Sequence, residues 1–210
     1  MSETMLIVEY DEQYQELHAI KAQLLAVQKR LLALGAGEAA YAPGDTVLAE
    51  PASFAEILDR IEGMPHVYFT GSRKVTLELD AQAHGSSWVR MAWDALLALR
   101  DYAGAAVGGG ASRDFKQWCE DVPDGLHAIS PRKIVRDESK AVKTKAGWRK
   151  ERTFPVPTHV DPTRKVFMGA HVRVGGGNTV APRLHYYDDR CADHGIFIGY
   201  LGPHLTNTLT

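Results

Sequence analysis

Two arginines, two histidines and a tyrosine stand at strand spacing near the C-terminal end of this sequence. From Val166 to Leu205 the chain reads VFMGAHVRVGGGNTVAPRLHYYDDRCADHGIFIGYLGPHL, a pattern of three consecutive strands. Side chains alternate between faces along a strand. His171 and Arg173 therefore share one face, and in the next strand Arg183, His185 and Tyr187 share a face opposite Leu184 and Tyr186. Antiparallel pairing would bring the two polar sets together across the ladder. His204, in the GPHL that follows the third strand, could fold back to the same rim.

These residue types suit phosphate chemistry. Histidine, with a reference pKa near 6.5, serves as base or acid close to neutrality, and arginine grips a phosphate bidentately. RNA can be cut without a metal or other cofactor when a base takes the 2′-hydroxyl proton, an acid protonates the leaving oxygen and cations stabilise the crowded phosphate. The catalytic candidates are His171, Arg173, Arg183, His185, Tyr187 and His204. A metal-independent endoribonuclease is the expectation.

A second feature supports a nucleic-acid partner, RNA ahead of DNA. The net charge is −2, but residues 1 to 113 carry 9 Lys/Arg against 15 Asp/Glu, whereas 114 to 210 carry 15 against 11. Within the basic half, residues 131 to 152 (PRKIVRDESKAVKTKAGWRKER) hold nine basic and three acidic side chains. Arg132, Lys133, Arg136, Lys140, Lys143, Lys145, Trp148, Arg149, Lys150 and Arg152 are the binding candidates, since such a cluster is an electrostatic footprint for phosphate backbones. Its plainer reading is a solvated run facing the acidic half of the same molecule.

Other chemistries compete. Pro123 and Asp124 followed by Glu138, Ser139 and Lys140 match the PD…ExK pattern of restriction-like nucleases, whose carboxylates hold Mg²⁺. That match requires Asp124 to start a strand and Glu138 to lie on its neighbour. A metal site of His171, His185, His204 and Asp188 is a further option, which the neighbouring arginines oppose and no local histidine spacing supports. Neither GGGAS nor GGGNT follows a phosphate-loop fingerprint. A binding module without turnover would use the same basic surface.

The elements that must position these residues read as α+β: a helical N-terminal region with a small β-hairpin, then a C-terminal antiparallel sheet. Tyr10, Tyr14, Leu17, Lys21, Leu24, Gln28 and Leu31 mark a heptad seam over 10–34, a helix that could pair with a second copy as a homodimer. Ser53 and Glu56 have capping-box spacing ahead of Phe54, Ile57, Leu58 and Ile61. The stretches 66–70 and 74–80 read as a hairpin around Gly71 and Ser72, and Trp88 to Tyr102 as a helix with Met91, Ala92, Ala95, Leu96 and Leu99 on one face. A Gly/Ala linker at 105–114 divides a helical region, 1–104, from a basic segment and sheet, 115–210. Two cysteines without a CxxC signal neither a disulfide framework nor a thiolate zinc site. With no signal-peptide pattern or apolar run of membrane length, the expectation is a cytoplasmic protein without a membrane partner.

The segment HVRVGGGNTVAPRLHYYDD followed by GIFIGYLGPHL resembles the C-terminal sheet of the RelE/ParE-like toxins, over about a fifth of the chain. The resemblance implies toxin- or defence-type cleavage of messenger RNA without metal. It sets Arg173 and Arg183 at the strand arginines and His204 near the position after the last strand. The chain lacks the C-terminal tyrosine often used in that family.

Overall fold

Asp80 reaches back across the chain to hold the start of helix α1 (Phe54–Ile61). Its Oδ1 accepts from the Phe54 amide at 2.7 Å and its Oδ2 from the Ala55 amide at 3.2 Å. Ser53 accepts from the Glu56 amide at 3.1 Å, so most of the unpaired donors of the first turn are satisfied by side chains. Phe54, Ile57, Leu58 and Ile61 are buried. The computed structural model describes residues 20, 23, 27, 30, 50–107, 113–176, 180–190 and 195–206. Ile20, Gln23, Val27 and Arg30 are helical, and the remainder of the expected 10–34 helix lies outside the described residues.

The architecture is α+β. Strand β1 (Val67–Phe69) is followed by helices α2 (Arg73–Leu77), α3 (Gly85–Val107) and α4 (Phe115–Glu120), then strand β2 (Ile134–Val135). Helices α5 (Lys140–Thr144) and α6 (Ala146–Glu151) lead into strands β3 (Thr153–Pro155) and β4 (Lys165–Phe167). Strands β5 (His171–Arg173), β6 (Arg183–Asp188) and β7 (Ile196–Gly202) close the chain. Five strands form one sheet in the order β1-β7-β6-β5-β2, with β1 parallel to β7 and every other pair antiparallel. β3 and β4 form a separate antiparallel hairpin.

Two local expectations are corrected. The small hairpin is β3–β4, because 73–77 is helical: Ser72 caps it, and Thr76 is buried with its hydroxyl donating to the Leu201 carbonyl at 2.8 Å. The helix buries Thr76, and Leu79 in the turn that follows is buried too, while Leu77 is exposed, so the alternation of Val75, Leu77 and Leu79 does not hold. The run from Val166 to Val174 is not one strand, since β4 pairs with β3 while β5 pairs with β6. The expected division at 105–114 runs through one compact unit, Glu50–Asp121 with His127–Thr210. In it α3 lies against β1 and β7, and Trp88, Leu96, Leu99 and Tyr102 are among its buried residues. Met1–Ala49 and Val122–Leu126 form the other unit, in which Arg30 donates to the Asp124 carbonyl at 3.4 Å.

Within the larger unit, Tyr102 donates to Asp188 Oδ2 at 2.8 Å, and Arg190 pairs with Asp188 Oδ1 at 2.7 Å and also bonds the Tyr102 hydroxyl. This partly buried polar network ties α3 to the end of β6. The other side of β6 and β7 is covered by the β3–β4 hairpin, where Val156, Met168 and Phe197 form a cluster with Phe154, Val160, Val166 and Tyr187 against it. A side chain at Gly199 of β7 would put Cβ 2.5 Å from both Met168 Sδ and Phe154 Cβ, so the hairpin can close onto the sheet only over a glycine. Gly104, in α3, has nothing within 4 Å of such a position. Gly199→Ala should therefore destabilise by about 1–3 kcal/mol through overpacking, while Gly104→Ala should stabilise by about 0.5–1 kcal/mol through helix propensity. Urea unfolding followed by circular dichroism reads both signs.

Candidate functional site

The register of β5 against β6 sets His171 directly opposite His185 and Arg173 directly opposite Arg183. Val172 and Leu184, opposite each other on the reverse face, are fully buried. The imidazole centroids are 4.7 Å apart. His171 Nδ1 lies 3.0 Å from the Gly169 carbonyl and His185 Nδ1 lies 2.9 Å from the Met168 carbonyl. A carbonyl oxygen only accepts, so each Nδ1 carries the proton and each Nε2 keeps its lone pair. Burial lowers the His171 pKa to about 4, with Arg183 and Arg173 adding to the shift and the Gly169 bond and Glu138 opposing it. His185 is driven well below its ordinary value by burial first and by His171 second. Both rings are neutral at pH 7.

Glu138 completes the cluster from the loop between β2 and α5. One donor atom each from Glu138, His171 and His185 lie within 4.8 Å of one another. The carboxylate is fixed from behind: Arg152 Nε donates to Glu138 Oε1 at 2.5 Å and Arg152 Nη1 to the Trp148 carbonyl at 3.3 Å. Arg152 is only 1% exposed. Its own carbonyl accepts from the Met168 amide at 2.8 Å, so one residue steadies both Glu138 and the segment whose carbonyl orients His185. Gly169 lets the loop approach, since a Cβ there would meet Asp137 Oδ1 at 2.1 Å and the Glu138 nitrogen at 3.2 Å. Asp137 accepts from the Glu138 amide at 2.8 Å and pairs with Lys143 at 2.6 Å. Ser139 caps α5, accepting from the Val142 amide at 3.4 Å.

Above this cluster opens a polar cleft of about 410 Å³, lined by Asp137, Glu138, Ser139, His171, Arg173, Arg183 and His204 together with Val135 and Val142. Arg183 Nη1 donates to the carbonyls of Gly175, Ala181 and Pro182, while its Nε is buried with no hydrogen-bond partner. Burial, with Arg173 second, lowers the Arg183 pKa to about 10. Neither Arg173 nor Arg183 makes a salt bridge among the described residues. His204, partly buried, has a lowered pKa, through burial first and Arg183 second.

Of the catalytic candidates, His171, Arg173, Arg183 and His204 line the cleft, and His185 lies beneath its wall, 1% exposed. Tyr187 is corrected: it packs with Val156, Met168 and Phe197 under the hairpin and lines no part of the cleft. Among the binding candidates, Arg152 is corrected from the surface to the interior. Arg136 is paired with Asp114 at 2.7 Å, Lys143 with Asp137, and Lys133 Nζ lies 3.3 Å from Met91 Sδ. Arg132, Lys140, Lys145, Arg149 and Lys150 are exposed. Lys145 Nζ sits 3.7 Å above the half-buried Trp148 ring, and Arg149 lies 5.0 Å above the Phe167 ring.

The restriction-like pattern lacks its required context, because Asp124 stands in a turn of the other unit and Glu138 in a loop. Asp188 is engaged with Arg190 and Tyr102 and does not join the histidines. Glu138 and Arg152 were present in the sequence reading, in other roles; what it missed is their pairing. No family model, curated protein or solved structure matches this chain. Among the described residues, no helix is long and apolar enough to cross a membrane.

Arg152→Met should cost about 3–5 kcal/mol of stability, because it leaves the Glu138 carboxylate without its counter-charge, whereas Arg152→Met combined with Glu138→Leu should recover most of the loss. Thermal and urea unfolding of the two single variants and the pair measure this cycle. A single Arg152→Met variant as stable as the parent would show that the ion pair is not structural.

Proposed function

We propose that this protein is a nucleic-acid phosphodiesterase, acting on RNA in preference to DNA, with its reaction in the cleft between β5, β6 and the 137–139 loop. The observation that carries this reading is the opposition of Arg173 and Arg183. Two guanidiniums directly across a ladder repel each other, and neither makes a salt bridge among the described residues. An anion in the cleft would relieve that repulsion and would supply Arg183 Nε with an acceptor. Phosphate fits: it is doubly bridged by guanidiniums and carries the charge that grows as phosphorus becomes five-coordinate.

The same cleft presents neutral nitrogen at His171 and a second imidazole at His204. Phosphodiester cleavage needs a nucleophile brought to phosphorus and a proton for the leaving oxygen. We assign the leaving group's proton to His204, which lines the same cleft. His185, which is buried, supports His171 rather than touching substrate. The exposed cations of α5 and α6 follow Ser139 in the chain, and we assign them, with Trp148 and its overlying Lys145, to the strand beyond the reacting phosphate. The resemblance of the terminal strands to RelE/ParE-like toxins agrees with RNA as the substrate. A 2′-hydroxyl next to the scissile phosphate is the nucleophile that distinguishes it from DNA.

The test is incubation of the purified full chain with end-labelled RNA and DNA of one sequence. RNA should be cut into discrete products. Arg173→Ala should slow cleavage by about 10²–10³-fold, the loss seen when one stabilising donor is removed from a charged transition state. Lys145→Ala with Arg149→Ala should instead weaken binding and flatten its salt dependence, leaving turnover of saturated enzyme nearly unchanged. Salt-sensitive retention of RNA without products, in parent and Arg173→Ala alike, would identify a binding module and defeat the phosphodiesterase reading.

A further inference from the structure

We propose that Glu138, His171 and His185 form a binding site for one divalent first-row transition ion, of the Zn²⁺ or Mn²⁺ type, open on its remaining side to the cleft. This deepens the phosphodiesterase reading by naming the cofactor of that site. It rests on that reading only for what the ion does, since ion binding is measured by itself.

The donor set is the first argument. Two neutral imidazoles and a carboxylate are the ligand complement of open, catalytic zinc sites, in which a water or substrate oxygen takes the last position. Hard ions that prefer all-oxygen cages would not choose two nitrogens. The three donor atoms already lie within 4.8 Å of one another. Bonds of about 2.0–2.2 Å hold tetrahedral donors roughly 3.5 Å apart, so closure asks for a shift of about 1 Å. Glu138 sits on a loop and can supply it by side-chain rotation.

The groups behind the donors are the second argument. Ligating histidines nearly always donate their other ring nitrogen to a carbonyl or carboxylate, which fixes the tautomer and turns the lone pair to the metal. Both histidines here do so, to Gly169 and Met168. Ligating carboxylates are in turn held by hydrogen bonds. Arg152 holds Glu138 Oε1 and leaves Oε2 free of any bond among the described residues. Both Nδ1 atoms are engaged, neither Nε2 has a hydrogen-bond partner among the described residues, and a cation would take both lone pairs.

The guanidiniums of Arg152, Arg173 and Arg183 work against a bare cation, and this gives the site a specific signature. An ion should bind weakly alone and more tightly once a phosphate lies between it and Arg173 and Arg183. By linkage, the phosphate should bind more tightly in the presence of the ion by the same factor. With both in place, the ion would polarise a phosphoryl oxygen or hold the attacking oxygen.

Isothermal titration of Zn²⁺, and separately of Mn²⁺, into chelator-stripped full-length protein tests the proposal, with and without inorganic phosphate. One equivalent should bind per chain, with affinity raised at least fivefold by phosphate. His171→Ala and Glu138→Gln should each lower the affinity at least tenfold, while His127→Ala, which removes an imidazole paired with Asp101 outside the cleft, should leave it unchanged. If Glu138→Gln fails to fold because Arg152 loses its counter-charge, His171→Ala carries the test. Binding of less than half an equivalent, or binding unaffected by His171→Ala, overturns the metal site. RNA cleavage that persists in chelator with no ion bound would overturn the ion's role in the reaction while leaving the phosphodiesterase reading intact. Stoichiometric ion binding in protein that cuts neither RNA nor DNA would support the site and defeat that reading.

Discussion

A guanidinium with almost no exposed surface has to find its counter-charge inside the fold, and Arg152 finds it on Glu138. The cost of taking both charges out of water is recovered only if the geometry is held. The surroundings hold it: the Trp148 carbonyl takes a second guanidinium bond, and the Arg152 carbonyl takes the Met168 amide. From there the constraint spreads to the histidines. Met168 and Gly169, adjacent in the chain, each present a carbonyl to one imidazole. The loop carrying Glu138 can lie against them only because residue 169 lacks a side chain. The geometry of the cleft thus depends on an arginine that does not line it.

Around that fixed point the charges are arranged unequally. Below the cleft wall, burial keeps two imidazoles neutral. At the wall, Arg173 and Arg183 stand opposite each other, and neither makes a salt bridge among the described residues. A sheet gains nothing from such a pair, since like charges directly across a ladder are unfavourable. Retaining it makes physical sense when an external anion completes the arrangement. The carboxylates nearest the cleft do not fill that role: Glu138 is committed to Arg152, and Asp137 to Lys143.

The legible part of the site was the part governed by period two. Parity along HVR and RLHYY places His171, Arg173, Arg183 and His185 on one face, and an antiparallel pairing brings them level. Parity also assigned Tyr187 to that face, but it could not tell that a covering hairpin seals this end of the strand with Val156, Met168 and Phe197. Contributions from outside the local strand were not legible. Glu138 lies 33 positions before His171 and stands on a loop with no period to read. Arg152 ends a basic run and looks, from composition, like one more solvated cation. Only its placement after α6 shows that it turns inward. The helix at 73–77 failed for a related reason, because a short alternating segment supports either period and the bond from Thr76 to Leu201 decides between them. By contrast, the caps at Ser53 and Ser139 and the long apolar face of α3 are local or strongly periodic signals. The first and last of these were readable directly from the sequence.

The central claim is that His171 and His185 are both neutral and both protonated at Nδ1, which leaves each Nε2 with its lone pair. Long-range nitrogen–proton correlation NMR of the imidazoles in the full chain at pH 7, with assignments from His171→Gln and His185→Gln, reads this directly. The account predicts the Nδ1-protonated neutral tautomer for both rings. An imidazolium signal, or the Nε2-protonated tautomer at either position, would contradict it.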